Sequence, residues 1–256
     1  MNLLLLIAIF VPLVLGQNNI CTTENSCATN PKRDCSCFEY MLATHPFGFH
    51  ANVQPDPSEP EFEVQCSKLD GKLWTVIQER LNSNEAELAP DGFDRNYNEY
   101  EDGFGNITGN YWMGLKKIHA LTTAVDMSMR LEMHRENDNV TLVYGQYDVF
   151  RVSGPSTKYR LVIAGYTGTA AMTIESDSNG RPFSAKDQDN GGEDCPARWK
   201  GGWWYAQNEI SCATCTPNGP YNTDKLGQLA CDTGGFGREK AVSMQIHITP
   251  EDYLKN

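Results

Sequence analysis

Two carboxylates one residue apart, Asp187 and Asp189, open a loop that continues through Asn190, Gly191 and Gly192. Calcium and similar hard cations take about six to eight oxygen ligands from a backbone that can fold its own carbonyls inward. The aspartates supply side-chain oxygens, and the glycine pair supplies a backbone that turns sharply enough to add carbonyls. The spacing is not that of an EF-hand. Counted from Asp187, position five is Gly191, and position twelve is Arg198 where that loop needs a bidentate Glu. Asp-x-Asp alone is also the composition of a solvated turn, so the flanks decide. Cys195 follows eight residues after Asp187, then GGWWY at 201–205, Cys212 and the Asn218-Gly219 turn.

Other chemistries fit less well. Cys212-Ala-Thr-Cys215 has CxxC spacing, but a redox centre wants a βαβ setting and a zinc site wants two further ligands, so structural disulfides are the expectation. The five His residues, at 45, 50, 119, 134 and 247, form no paired metal motif. His247 is expected at the surface, opposite Ile246 and Ile248. There is no G-x-S-x-G elbow and no nameable catalytic carboxylate pair, so an enzyme is not expected. Asp91, Asp94, Glu99 and Glu101 read as a solvated acidic face. Trp203 and Trp204 could stack on a sugar or anchor the loop by burial.

Residues 1–16, MNLLLLIAIFVPLVLG, read as a secretory signal peptide, too short for a membrane span. No later window is apolar enough to cross a bilayer, so a secreted, extracellular protein is expected. A net charge of -12 argues against nucleic acid or an anionic membrane surface as partner. All nine cysteines follow residue 16, and in an oxidising compartment they should mostly pair. Nine is odd, and the polar 17–34 segment with Cys21 and Cys27 is the expected place for an interchain bond giving a disulfide-linked homo-oligomer. Asn106-Ile-Thr and Asn139-Val-Thr are glycosylation acceptors.

Residues 35–256 read as the folded domain. A strand at 62–65 would bring Cys66 towards Cys35, the preferred partner, with Cys37 as a competitor. Residues 73–78 (LWTVIQ) read as a strand after the Asp70-Gly71 turn. Helical stretches are expected at 96–102 and 111–121, and strands at 127–133, 140–147 and 158–163. The stretch from 165 to 240 reads as one long loop that needs an internal tie. A late strand at 242–248 should return to the middle of the sheet. The fold class is α+β, with a twisted, mainly antiparallel sheet and short helices.

From about Cys35 to Pro250 the sequence resembles the fibrinogen-related domain of fibrinogen chains, ficolins, tachylectins, tenascins and angiopoietins. The resemblance rests on WTVIQ, then Phe93, Arg95, Tyr97 and Tyr100, then GFGN, Gly109, YWMG and Ile118-His119. YRLVIAGYTGTA, NGRPFSAKDQDN, Cys195, GGWWY, Cys212 and Asn218-Gly219 follow in order. It implies calcium (Ca2+) on the Asp187 and Asp189 side chains and the carbonyls of Gly191 and Glu193. It also implies a Cys195–Cys212 disulfide and an adjoining acetyl pocket, whose matching positions are Tyr205, Cys212, Ala213 and Asn218. Ala213 stands where lectin members carry His, AQNEIS lengthens the Tyr205–Cys212 interval, and the GINW-type closing stretch is replaced. Cys215 and Cys231 are extra and are expected to pair. The resemblance implies recognition of acetylated glycans in innate immunity, or, alternatively, a protein-binding ligand of a receptor or matrix.

Overall fold

Residues 74–77 are an unbroken run of aromatic and β-branched side chains between Leu73 and Gln78, which suits a strand covered on both faces. In the computed structural model, which describes residues 32–46, 48–81, 92–135, 142–169, 174–206, 212, 215–219 and 241–255, this stretch lies in β3 (Lys72–Leu81). Every residue from Leu73 to Arg80 is buried. Before it come a 3-10 turn (Cys35–Met41), β1 (Phe49–Val53) and β2 (Phe62–Leu69). The β2–β3 hairpin closes with Asp70 at φ 49° and Gly71 at φ 80°, a left-handed pair that this dipeptide tolerates. Cys35 is bonded to Cys66, which ties the 3-10 turn to β2. Cys37 is buried, and desolvation pushes its thiol pKa up.

The later elements are α1 (Tyr97–Asp102), β4 (Phe104–Gly105), β5 (Tyr111–Trp112), α2 (Leu115–Ala124), β6 (Met127–Arg135), β7 (Leu142–Val152) and β8 (Leu161–Gly168). They are followed by α3 (Ile174–Ser178), α4 (Cys195–Trp199), β9 (Ala241–Pro250) and α5 (Glu251–Lys255). The sheet runs β1-β2-β3-β9-β6-β7-β8, with β5 also pairing β3 and β4. All these pairings are antiparallel, as expected for the α+β class. Strand β9 does enter the middle of the sheet. Its Met244, Ile246 and Ile248 sit opposite Met133, Leu131 and Met129 of β6, and all six are buried. Their alternation is the period-2 pattern of a strand with a core face.

Four sequence expectations are corrected. The helix expected over 111–121 begins only at Leu115, because Tyr111-Trp112 pairs with Gln78 and Glu79 of β3 and Gly114 breaks the backbone at φ 104°. The strand expected over 158–163 begins at Leu161. Lys158 and Tyr159 are both left-handed, at φ 56° and 51°, and form a turn. The 165–240 loop carries the rest of β8 and the short helices α3 and α4. His247 is fully buried, because its sheet face is covered as well. There its Nδ1 meets the Ser67 hydroxyl at 3.0 Å, and Glu132 lies at 4.0 Å from Nε2. Glu132 in turn pairs with Arg130, which reaches Asp70 at 2.6 Å. Burial and the Arg130 charge push the His247 pKa down to about 3.

Beyond the sheet, an aromatic cluster holds the loop-rich half. Phe183 lies 5.1 Å from both Tyr100 and Trp204, ring centre to ring centre, and Trp204 lies 5.1 Å from Trp203. Backbone carbonyls satisfy two of the indole N–H groups, as buried aromatics require. Trp112 Nε1 donates to Tyr100 O at 3.0 Å, and Trp204 Nε1 to Tyr159 O at 2.7 Å. Of the two readings of Trp203 and Trp204, burial is the one observed, at 2% and 1% exposure. Gly202 is required at its position, since a Cβ there would lie 2.6 Å from the Tyr100 ring and 2.8 Å from Phe183.

Candidate functional site

The loop of interest begins where Ser184 and Trp203 exchange two backbone hydrogen bonds of 3.0 Å. Between them the backbone turns at Ala185–Gln188, again through two 3.0 Å bonds. That turn exposes Asp187 and Asp189. Asp187 Oδ1 accepts from Tyr97 N at 2.7 Å, so this carboxylate caps the start of α1, where free N–H groups favour an anion. Lys186 reaches Asp94 O at 2.6 Å and ties the loop to the same region. Glu99 completes the entry to α1. Its Oε2 accepts from Asn96 N at 2.9 Å, the return half of a capping box, so this member of the acidic run has a local structural task.

Asp189 organises the loop from within. Its Oδ1 accepts from Gly191 N at 2.9 Å and Gly192 N at 3.1 Å, and its Oδ2 from Asp194 N at 2.7 Å. The following Asn190 is fixed by its own backbone N on the Ser184 hydroxyl at 3.0 Å. Among the described residues no group of three or more His, Cys, Asp or Glu is placed to hold a metal. A cation here would therefore rest on two carboxylates and on backbone carbonyls such as those of Gly191 and Glu193. That donor set is oxygen only, which fits calcium and not a soft metal. Asp187 Oδ1 and Asp189 Oδ2 each accept one of these bonds and keep a second lone pair, whereas Asp189 Oδ1 already accepts two.

Cys195 opens α4 and is bonded to Cys212, with Cα atoms 5.6 Å apart. Cys212 is buried and left-handed at φ 55°, so the backbone turns at the bridge itself. Its carbonyl accepts from Ala206 N, and Arg198 points a guanidinium N–H at its sulfur from 3.8 Å. Tyr205 is 2% exposed and its hydroxyl donates to Gly201 O. Burial, first, and the nearby Tyr100, Asp94 and Asp189 raise its pKa well above the usual tyrosine value. Asn218 is also buried. Its Nδ2 donates to Gly202 O at 2.9 Å and its Oδ1 accepts from Gln78 at 3.2 Å. The structure thus brings Tyr205, Cys212 and Asn218 together around one wall, with all three side chains turned into the fold. Cys215 is disulfide-bonded. Ala213, Cys231, Asn139, Cys21, Cys27 and residues 1–16 lie outside the described residues. Asn106 is exposed in the β4–β5 turn, where its Oδ1 accepts from Thr108 N at 3.1 Å.

Two residues that sequence reasoning missed hold this wall in place. Gln78 donates to Pro217 O at 3.0 Å, and Arg80 donates to Gly219 O at 2.8 Å and Pro217 O at 3.3 Å. The Arg80 guanidinium also lies 4.0 Å from the Phe93 ring centre, a stacked cation–π geometry. The available signal was a run of long polar residues, Gln78 to Arg80, closing a strand whose neighbours Leu73, Trp74, Val76 and Ile77 are apolar and buried. Such residues must find partners.

Comparison with known proteins gives concordant results. A profile described as "Fibrinogen beta and gamma chains, C-terminal globular domain" matches residues 32–235. The sequence is 34% identical to human Fibrinogen C domain-containing protein 1 over 72% of its length and 39% of that protein. It is 30% identical to human Fibroleukin over 82% of its length and 48% of that protein. Against bovine Angiopoietin-1 the identity is 32%, over 80% of its length and 40% of the relative. The protein thus spans less than half the length of these three relatives. Among solved structures, the fibrinogen-like globe domain of human ANGPTL2 superposes with a TM-score of 0.72 at 28% identity, covering 86% of the present protein and 100% of that domain.

Proposed function

The protein belongs to the family defined by the C-terminal globular domain of the fibrinogen beta and gamma subunits, and from that membership we propose that it is an extracellular, non-catalytic recognition protein whose ligand is another protein. The observation that carries this reading is the state of the wall formed by Tyr205, Cys212 and Asn218. A small acetylated ligand is gripped by a few polar atoms left available in a preformed cleft. Here the Tyr205 hydroxyl and both ends of the Asn218 amide already bond within the fold, and both side chains are buried. A protein ligand has no need of such a pocket, since it is held by a broad surface with a few anchors.

Calcium belongs to this reading as a support. Held by Asp187, Asp189 and the carbonyls of Gly191 and Glu193, it would brace the exposed end of the loop and reduce the conformational entropy lost on binding. The disulfides Cys35–Cys66 and Cys195–Cys212 support an oxidising, extracellular location. A disulfide through Cys21 or Cys27 would join copies and add avidity.

The test uses the secreted protein, fluorescently labelled, on cultured cells and on N-acetylglucosamine resin, each with calcium and with chelator. Binding that survives enzymatic trimming of surface glycans and disappears after mild proteolysis of the cells is the expected result. Calcium-dependent retention on the resin, released by free N-acetylglucosamine, would instead establish the lectin reading and overturn the protein-ligand one.

A further inference from the structure

Beside Asn190, a cleft of about 370 Å³ opens between the Ser156–Arg160 segment and residues 180–182. It is lined by Lys158, Arg160 and Arg181 together with Ser156, Gly180 and Asn190, and no carboxylate is among its lining residues. Three cationic side chains lining one cleft stand out in a protein of net charge -12. The Lys158 ammonium has no carboxylate partner among the described residues.

The backbone is shaped to present these groups. Lys158 and Tyr159 are consecutive left-handed residues, neither of them glycine, a conformation kept only where the surroundings over-determine it. Phe183 N donates to Lys158 O at 2.9 Å, Tyr159 N to Gly154 O at 3.2 Å, and Trp204 Nε1 to Tyr159 O at 2.7 Å. Arg160 bonds Gly180 O through one guanidinium nitrogen, which fixes the planar head while further N–H donors remain for an oxyanion. Arg151 of β7 is exposed and lies opposite Val162, two residues along from Arg160 on the same face. Such diagonal neighbours stand about 7–8 Å apart, so the positive charge continues out of the cleft as a line.

We propose that this cleft binds a sulfated sugar of an extracellular glycan. The sulfate ester would sit among Lys158, Arg160 and Arg181. The Ser156 hydroxyl and the Asn190 amide would meet ring hydroxyls, and Arg151 would meet the next anionic group along the glycan. A cleft of this size suits one sugar ring, and the extension to Arg151 favours a repeating anion over an isolated phosphate. This site is separate from the wall at Tyr205, and it stands whether or not the protein-ligand reading does.

The test is titration calorimetry of the secreted protein with a heparin-type sulfated tetrasaccharide, its fully desulfated counterpart, and a phosphoserine peptide of equal charge, at low and raised salt. The sulfated sugar is expected to bind, with affinity falling as salt rises, and the desulfated one to give no heat. The pair Lys158→Asn, Arg160→Gln should weaken binding at least tenfold; Asn is chosen because it tolerates the left-handed backbone. The pair Arg33→Gln, Lys68→Gln removes the same charge elsewhere and should stay within about twofold of wild type. Ser156→Glu places an acid in the cleft without touching the left-handed pair and should also abolish binding, so a poorly folded first variant does not stall the test. Equal losses in both charge pairs would show diffuse attraction and overturn the site. Binding of the desulfated sugar, stronger binding of the phosphopeptide, or no binding of the sulfated sugar at millimolar concentration would overturn the assignment as well.

Discussion

Replacing Asp189 by Ala should damage the loop even when no metal is present. The wild-type carboxylate accepts three backbone N–H bonds, from Gly191, Gly192 and Asp194. A net hydrogen bond to a charged group contributes about 1.5–3 kcal/mol when shielded. This one is exposed to water, so roughly 1–2 kcal/mol for the whole set is the reasonable total. In a protein of this size about 1 kcal/mol moves the melting temperature by roughly 2–4 °C. Thermal melts in chelator should therefore place Asp189→Ala about 2–8 °C below wild type. Calcium adds a second, separable effect. At about 2 mM calcium and a dissociation constant of about 10⁻⁴ to 10⁻³ M, wild type should gain roughly 0.6–1.8 kcal/mol, and the variant nothing. Asp187→Ala loses one bond, to Tyr97 N, and should cost less in chelator, about 0.5–1 kcal/mol, while losing the calcium response equally. If Asp189→Ala melts with wild type in chelator, the internal capping argument is wrong. If calcium leaves wild type unmoved up to several millimolar, the loop does not hold the metal.

Three further outcomes are expected. His247 has a folded pKa of about 3 against an unfolded value near 6.5, so between these the unfolded state binds the extra proton. Stability should fall as pH drops from about 6.5 towards 3, at up to about 1.4 kcal/mol per unit; urea titrations across that range should show the slope, and His247→Gln should flatten it. Gly202→Ala would drive a methyl into the Tyr100 and Phe183 rings and should cost about 1–3 kcal/mol or more, visible as a lower urea midpoint at unchanged m-value. Breaking Cys35–Cys66 by a double change to Ser frees a loop of separation 31 and should cost about 3–4 kcal/mol, read by the same titration.

The sheet could be read from the sequence because its strands obey a simple period. Met127, Met129, Leu131 and Met133, and later Met244, Ile246 and Ile248, alternate as one core face demands, and they are buried as expected. That period fails where both faces are covered. From the alternation alone His247 faces away from the apolar side and so towards water, and nothing local in VSMQIHI announces Ser67, Arg130 and Glu132. The Tyr111-Trp112 pairing was hidden for a related reason. Two residues are too few to show a period, and their partners, Gln78 and Glu79, lie far back along the sequence. At the site, Asp187 and Asp189 were legible from residue type, and Cys195 with Cys212 from the resemblance. The anchoring of Pro217 and Gly219 by Gln78 and Arg80 was not, because it joins distant segments through carbonyls, which every residue possesses. Lys158 and Arg160 run directly into the apolar alternation of β8, and that continuity conceals the left-handed turn at Lys158 and Tyr159.

The central place of β9 has a consequence for the making of the protein. Strands β3 and β6 each pair with β9 and not with each other, so the sheet has no continuous middle until residues 241–250 are available. During synthesis from the amino end, β3 and β6 wait with open edges, each rich in apolar residues, while everything up to position 240 is made. Unpaired edges of that kind template association with other polypeptides. The disulfide that clips the 3-10 turn to β2, and the hairpins β2–β3 and β6–β7, can form early and shorten that exposure, but they cannot end it. A break anywhere between β6 and β9, by premature termination or proteolysis, would therefore leave two half-sheets with sticky margins. Quality control of this protein in the cell should depend on its last strand more than on any loop that contacts a ligand.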